Sequence, residues 1–442
     1  MDIQLSDHFN YKRLLLFTLP SMLMLVLSSV YGVVDGLCVS NFVGKEALAA
    51  VNLIMPFPMI CSAVGMMLGT GGAALIGRTL GRKQQDRANG LFSMVLLFSA
   101  VVGLVLSVVG AIFIPHIALF LGANETLLPD CVAYGRVFMY ALVPFTLQGM
   151  FEVLFVTAER PKLGLAFSVA AGVVNMVLDI IFLGFFRCGI EGAAWATFIS
   201  SLVGGFGPVI YFLCPNTSLL HLKRPLWNWR ALRNICWNGS SEMVSYVSGS
   251  VCAILYNLQL MRLAGEDGVA SFGVIMYIDY IFLALVGGYL TSLESIVSYH
   301  YGAQNYEEVK NLWRRSFRLV CWFGLIMFVG AESCASFLAK IFVGYDADLM
   351  AFTAHAFRLY AFAFLIMGFN GLTSSFFTAL GNGTVSAIIS FCRTFVFEIL
   401  SVLLLPLLLG VDGVWLALTV GECCCLLVSW RFYMKYRGRY NY

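Results

Sequence analysis

Asp179 lies inside an apolar run, residues 170–186, with Lys162 before it and Arg187 after it. As a helix at ~1.5 Å rise per residue, the run is long enough to cross a hydrocarbon core of about 30 Å. A carboxylate in hydrocarbon is costly, so one is kept in a spanning helix where it faces a cavity, finds a partner or is neutralised. Asn175, one turn earlier, shares its face. This pattern fits either a polar pair that packs on a neighbouring helix or an ion or proton site. Asp35 and Thr197 fall in two further apolar runs. Asp179 precedes Arg187 by eight residues, Asp35 precedes Lys45 by ten and Thr197 follows Glu191 by six, which places all three about 9–15 Å below one membrane face at ~1.5 Å per residue. Tyr31, four before Asp35, is placed to donate a hydrogen bond. Two carboxylates, an amide oxygen and two hydroxyls suit a hard cation such as sodium, or a protonatable pair.

The elements that hold these residues must be membrane helices. Hydrophobic residues make up 60% of the 442, charged residues only 12%, and the mean hydropathy is +0.86. A soluble domain carries about 25% charge, so the composition indicates a polytopic all-α membrane protein. The net charge of +3 is spread over short loops and leaves no nucleic-acid footprint. The thirteen cysteines have no metal or redox spacing and read as small apolar residues in helices; Cys423, Cys424 and Cys425 form a contiguous triplet. Residues 2–12 are short and mixed, and the apolar run that follows is too long for a signal-peptide core, so it counts as the first spanning helix.

Twelve apolar segments run at about 13–38, 47–76, 90–112, 133–158, 163–186, 192–214, 234–261, 270–299, 316–338, 355–380, 384–410 and 413–434. An even number puts both termini on one side. The loops of that side, with the two ends, hold twenty Lys and Arg, and the alternate loops six. The positive-inside bias therefore places both termini in the cytoplasm, in a cell membrane expected to be a bacterial inner membrane. Residues 215–233, with Pro225, Trp227 and Trp229, read as a cytoplasmic linker between an N-terminal bundle, 1–214, and a C-terminal bundle, 234–442.

The two halves repeat. A displacement of 221 lays Met22 on Met243, Gly44 on Gly265, Gly81 on Gly302 and Gly192 on Gly413; a displacement of 222 lays Gly122 on Gly344, Arg136 on Arg358 and Gly149 on Gly371. Six spans per unit make the repeats parallel, related by a pseudo-two-fold axis along the membrane normal, with a transport cavity between two six-helix bundles. Asp35 lands on Tyr256 and Asp179 on Leu400 or Ser401, so the buried aspartates are expected in the first half only.

These residues resemble the MATE (multidrug and toxin extrusion) transporters of prokaryotes. The resemblance rests on Val34-Asp35-Gly36, Gly77-Arg78-Thr79-Leu80-Gly81, Asn175-xxx-Asp179, Thr197, and Ser298-Tyr299-His300-Tyr301-Gly302-Ala303, and it covers nearly the whole chain. It implies a secondary antiporter that exports cationic amphiphilic drugs or toxic metabolites in exchange for protons or sodium, with no enzymatic step and no cofactor beyond the coupling ion. It also implies a coupling-ion site at Asp35, Asn175 and Asp179, with Thr197 and Tyr31 beside them; for sodium, the first four are the ligands. The chain departs from the family at Glu294-Ser295, where Gln-Pro is usual, and at His300, where Asn is usual. The helix from Arg358 to Leu380 holds no acid, which argues against a sodium site there and favours protons.

Glu242, Glu294 and Glu398 are candidate substrate contacts, or else interfacial or helix-packing carboxylates, with Arg393 placed to neutralise Glu398. Phe369, Phe376, Phe377, Met276, Tyr277 and Tyr280 offer aromatic and thioether surface for a promiscuous pocket, or are core and lipid-facing. His116 and His355 read as structural. The rival readings are a lipid-linked precursor flippase of the same superfamily, which would need a strongly basic cavity, and a channel, which would not need a buried acid pair. The partners expected are small cations and lipid, for a chain acting as a monomer.

Overall fold

The structure is a computed structural model that describes residues 3–344 and 346–440. The described residues form twelve spanning helices and no strand. They are α1 (Tyr11–Phe42), α2 (Lys45–Ile54 continuing as Pro56–Gly81), α3 (Gln85–Phe120), α4 (Leu128–Thr157), α5 (Pro161–Phe185), α6 (Gly189–Leu213), α7 and α8 (Trp229–Gly302), α9 (Tyr306–Val343), α10 (Ala347–Ala379), α11 (Gly383–Leu409) and α12 (Val411–Tyr440). Helices α7 and α8 follow each other through one bend at Gly265, whose φ of 62° favours glycine. Asn10 caps α1 by accepting from the Arg13 amide at 2.9 Å, and proline at the first turn opens α5 and the longer part of α2.

Helices α1–α6 and α7–α12 form two bundles; one apolar core fills the second and takes in Leu14, Phe17 and Met22 of α1, and two further cores lie mainly in the first, one of them reaching Leu232 and Ile235 of α7. Large side chains such as Phe120, Phe185 and Leu408 stand outside them, as a lipid-facing surface requires. Trp229–Arg233, expected in the linker, are the first turn of α7. The rest of the linker lies on the first bundle. The Leu226 amide donates to Gly90 O at 3.0 Å, the His221 amide to Asn89 Oδ1 at 3.0 Å, and Lys223 Nζ meets Asp86 at 2.7 Å.

The bundles touch along the half of the molecule that carries both chain ends, here the terminal face. Glycine makes this possible. A Cβ on Gly71 would strike the Ile235 carbonyl, one on Gly239 that of Met67, one on Gly81 that of Tyr299 and one on Gly302 that of Arg78. Thr157 and Ser295 hydroxyls bond across the seam at 2.9 Å. At mid-depth Leu25 still meets Gly287, whereas beyond it Gly32, Gly249 and Gly273 have nothing within 4 Å of where a Cβ would lie. The bundles thus part into a cleft open to the opposite face.

A short strap, residues 3–10, seals the terminal face. Leu5 and Phe9 are fully buried. The Leu5 amide donates to Glu159 Oε1 of the first bundle at 2.6 Å. The Phe9 amide donates to Glu308 Oε1 of the second at 2.9 Å, and His8 Nδ1 lies 2.6 Å from Glu308 Oε2. Phe9 also meets His300 edge-on at 6.3 Å.

Candidate functional site

Four helices of the first bundle converge on one acid pair. Asp35 on α1 and Asp179 on α5 lie close enough for their carboxyl groups to interact directly. Asp179 is 0% exposed, and neither of its oxygens, nor Asp35 Oδ1, has a donor among the other described residues. Two bare carboxylates in this position would repel; one shared proton, or a cation between them, resolves the conflict. Asn175 is buried one turn before Asp179 on the same face. Helix α5 turns into a π-helix, Ile180–Phe185, immediately after Asp179, a local widening that recurs at functional positions.

Thr197 of α6 reaches the pair through Tyr134 of α4. The Tyr134 hydroxyl, which donates to Met55 Sδ at 3.7 Å, lies beside Thr197, and Tyr134 stands within electrostatic range of both Asp35 and Asp179. Tyr134 is buried and was missed from sequence. A signal existed, since it lies six residues after Leu128, which opens α4, as deep in its helix as Thr197 is after Glu191. Tyr31 does not sit where expected. Its ring lies over Gly172 on α5, in a space that any Cβ would fill, because the i, i+4 relation fixes a shared helix face and not the direction of a long side chain.

In the second bundle Glu242 on α7 and Glu294 on α8 lie close enough for their charges to interact. Glu294 is 2% exposed; it lies beside Ser375, and its Oε2 has no partner among the described residues. Glu398 is elsewhere. It lies inside the bundle, beside Cys252, Tyr256 and Asp279. Arg393 contacts Glu422 of α12 at 2.6 Å and also lies within electrostatic range of Glu398, as its position in sequence suggested. Asn370 Nδ2 donates to Glu422 Oε2 at 2.7 Å, and the Ser429 hydroxyl to Asn370 Oδ1 at 2.7 Å.

The expectation that buried aspartates belong to the first half alone is therefore corrected. Asp279 on α8 is 5% exposed and lies beside Tyr360, and with Glu398 and Glu422 it makes an acidic cluster in the second bundle. Repeat comparison could not reveal it, because Asp279 aligns with Pro58 rather than with either aspartate.

Phe376 and Phe377 are core, packed on Trp313 and Tyr436, and Phe369 lies on Phe317. Tyr277, stacked on Phe342, and Tyr280 are exposed; Met276 is half-buried against the core. His355 Nε2 lies 3.0 Å from Asp412 and His116 beside Phe113. At the terminal face, burial raises the Glu159 carboxyl above the usual glutamate range, helped by Asp7 and opposed by the Leu5 amide and Arg160.

A twelve-helix, two-bundle membrane protein with an acid pair inside one bundle and a cleft between the two has the build of a transporter. The MatE family profile matches residues 20–181 and 243–404, one match in each half, and the chain belongs to that family. It is 22% identical over 431 residues to the multidrug export protein MepA of Staphylococcus aureus, covering 95% of this chain and 92% of that protein. It is 25% identical over 423 residues to an FAD transporter of Shewanella oneidensis, covering 92% and 90%. Among solved structures, a MATE protein in complex with MaL6 aligns with TM-score 0.92 at 21% identity, covering 98% of both chains. An outward-facing multidrug resistance MATE transporter aligns with TM-score 0.90 at 22%, covering 98% and 97%. These structural likenesses carry the fold.

Proposed function

We propose that this chain is a secondary antiporter that exports cationic amphiphiles, drugs or toxic metabolites, in exchange for an ion taken up at Asp35 and Asp179. The observation that carries the reading is the acid pair. A buried site that cannot hold two bare charges must gain a proton or a sodium ion whenever it is sealed, and its occupancy then differs between access states. Asp35, Asn175, Asp179 and Thr197 are the oxygen set for sodium, with Tyr134 behind Thr197. Tyr31, over Gly172, packs α1 on α5 beside the site. The proton is preferred, since a carboxyl pair satisfies itself with one. Glu242 and Glu294 are the substrate contacts on the second bundle; Glu398, away from the cleft, supports the fold around Asp279.

The terminal face is taken as cytoplasmic from the basic-residue bias, in a cell membrane of bacterial type. The cleft then opens outward, the state ready to release drug and accept the coupling ion. Lipid and small cations are the partners of a monomer, with no nucleic acid and no cofactor. A flippase or carrier for an anionic substrate is disfavoured, because the carboxylates bordering the cleft would repel it. Proteoliposomes holding the purified chain test the proposal. An imposed pH or sodium gradient should drive uptake of a fluorescent cation, and Asp35→Asn and Asp179→Asn should abolish it. Cation flux that ignores both gradients would overturn the reading.

A further inference from the structure

The acids bordering the cleft are not one group. Glu242 and Glu294 sit together on the second bundle, with Arg393 in electrostatic range of Glu242 but held by Glu422 at 2.6 Å. Glu152 faces them from α4 of the first bundle. It borders the crevice lined by Ser21, Met24 and Met66 on one side and by Gly288 and Thr291 of α8 on the other. Thr291 lies one turn from Glu294 on the same helix face. Tyr246 of α7 is 41% exposed and within electrostatic range of both Glu152 and Glu242, so it stands between two anionic poles.

The Glu242 and Glu294 pole is not satisfied by the protein. Glu152 makes no ion pair among the described residues, and the buried Oε2 of Glu294 has no donor. A buried carboxylate oxygen without a donor is a rare and costly feature that a bound cation relieves. Among the described residues, the acid within electrostatic range of Glu294 is Glu242, on the same bundle, whereas Glu152 stands on the other. Met24 and Met66 offer adaptable apolar surface near the Glu152 pole, and the Tyr246 ring face attracts a cation or the apolar spacer behind it.

We infer that Glu152 is a specificity-determining residue, and that the base of the cleft takes elongated bis-cations, one charge at Glu152 and the other at Glu242 and Glu294. This rests on the export reading and deepens it. A substrate so placed bridges the bundles, whereas a mono-cation of the same length occupies one pole only. Glu152→Gln keeps the shape of the side chain and removes the charge, so it should lower affinity for a bis-cation far more than for its mono-cation counterpart.

The probes are bis-trimethylammonium hexane and hexyltrimethylammonium, whose quaternary heads carry charge without hydrogen bonds. Binding to the purified full chain in nanodiscs is measured by calorimetry, with export from proteoliposomes as a second readout. The wild-type chain should prefer the bis-cation. Glu152→Gln should cut that preference by about tenfold, equivalent to about 1.4 kcal/mol, and Glu152→Asp should restore part of it. Retained preference in a well-folded Glu152→Gln protein, or no preference in the wild type, overturns the inference and leaves the export reading standing. A wild-type chain that binds and exports neither probe overturns both.

Discussion

Asp35 and Asp179 stand within interaction range of each other across α1 and α5, and no basic side chain pairs with either among the described residues. A pair of this kind acts as one titrating unit. Asp179→Asn should therefore remove nearly all coupled efflux, about a hundredfold or more at roughly 1.4 kcal/mol per tenfold, while expression stays near normal because the amide fills the same space. Adding Asp35→Asn should cost little further. Normal drug resistance in cells making Asp179→Asn, or a double variant that loses the product of two partial effects, would count against a shared site.

The Arg393 and Glu422 pair is a matter of stability. Glu422 is 1% exposed, so Arg393→Met leaves a buried carboxylate with only the Asn370 amide. Breaking one side of a buried pair costs about 3–5 kcal/mol, whereas replacing both sides by apolar groups of similar size is often nearly neutral. The single variant should melt well below wild type in detergent, and Arg393→Met with Glu422→Met should recover most of the loss. Equal melting temperatures for the single variant and wild type would show that the pair is not needed.

Gly81 packs against the Tyr299 carbonyl and Gly302 against the Arg78 main chain. Gly81→Val cannot keep that approach, so the seam at the terminal face should open. Hydrogen exchange in residues 77–83 and 295–303 should quicken, and export should fall about tenfold, the effect of a ~1.4 kcal/mol shift between access states. Protection equal to wild type would show that the seam tolerates the extra methyl groups.

Glu159 makes the strap sensitive to pH. Its carboxyl is raised above the ordinary range when the strap is docked, so the docked state binds the proton more tightly than the released one. Docking is then favoured at acid pH and weakens as pH rises from about 4.5 through the raised value. Exchange of the backbone amides in residues 3–10 should speed up over that interval, and Glu159→Gln should flatten the dependence. The opposite slope would mean that the Leu5 hydrogen bond outweighs burial.

Much of this was legible from the chain alone, for particular reasons. Asp35 and Asp179 stood out because an acid in an apolar run violates the cost of desolvation, and loop distances fixed a common depth. Tyr134 stayed hidden because tyrosine is unremarkable in a membrane helix; only the Thr197 contact gives it a place. Arg393 was matched to Glu398 by closeness in sequence and does lie within its electrostatic range, but its hydrogen-bonded partner Glu422 comes from another helix whose rotation no linear pattern fixes. Asp279 was passed over because its repeat counterpart is Pro58. The strap was unreadable, being a few mixed residues whose order depends on two bundles closing above them.

That strap also dictates when the protein can finish assembling. Phe9 and its partner Glu308 are separated by 299 residues. At the roughly 5–20 residues per second of synthesis, the partner emerges about fifteen seconds to a minute later. Throughout that interval Leu5 and Phe9 lack the second bundle that buries them, and the first six helices sit in the bilayer without their terminal-face closure. Docking of the first few residues is thus among the last events of biogenesis. An N-terminal fusion long enough to delay it would lower the yield of assembled transporter without touching a single transport residue.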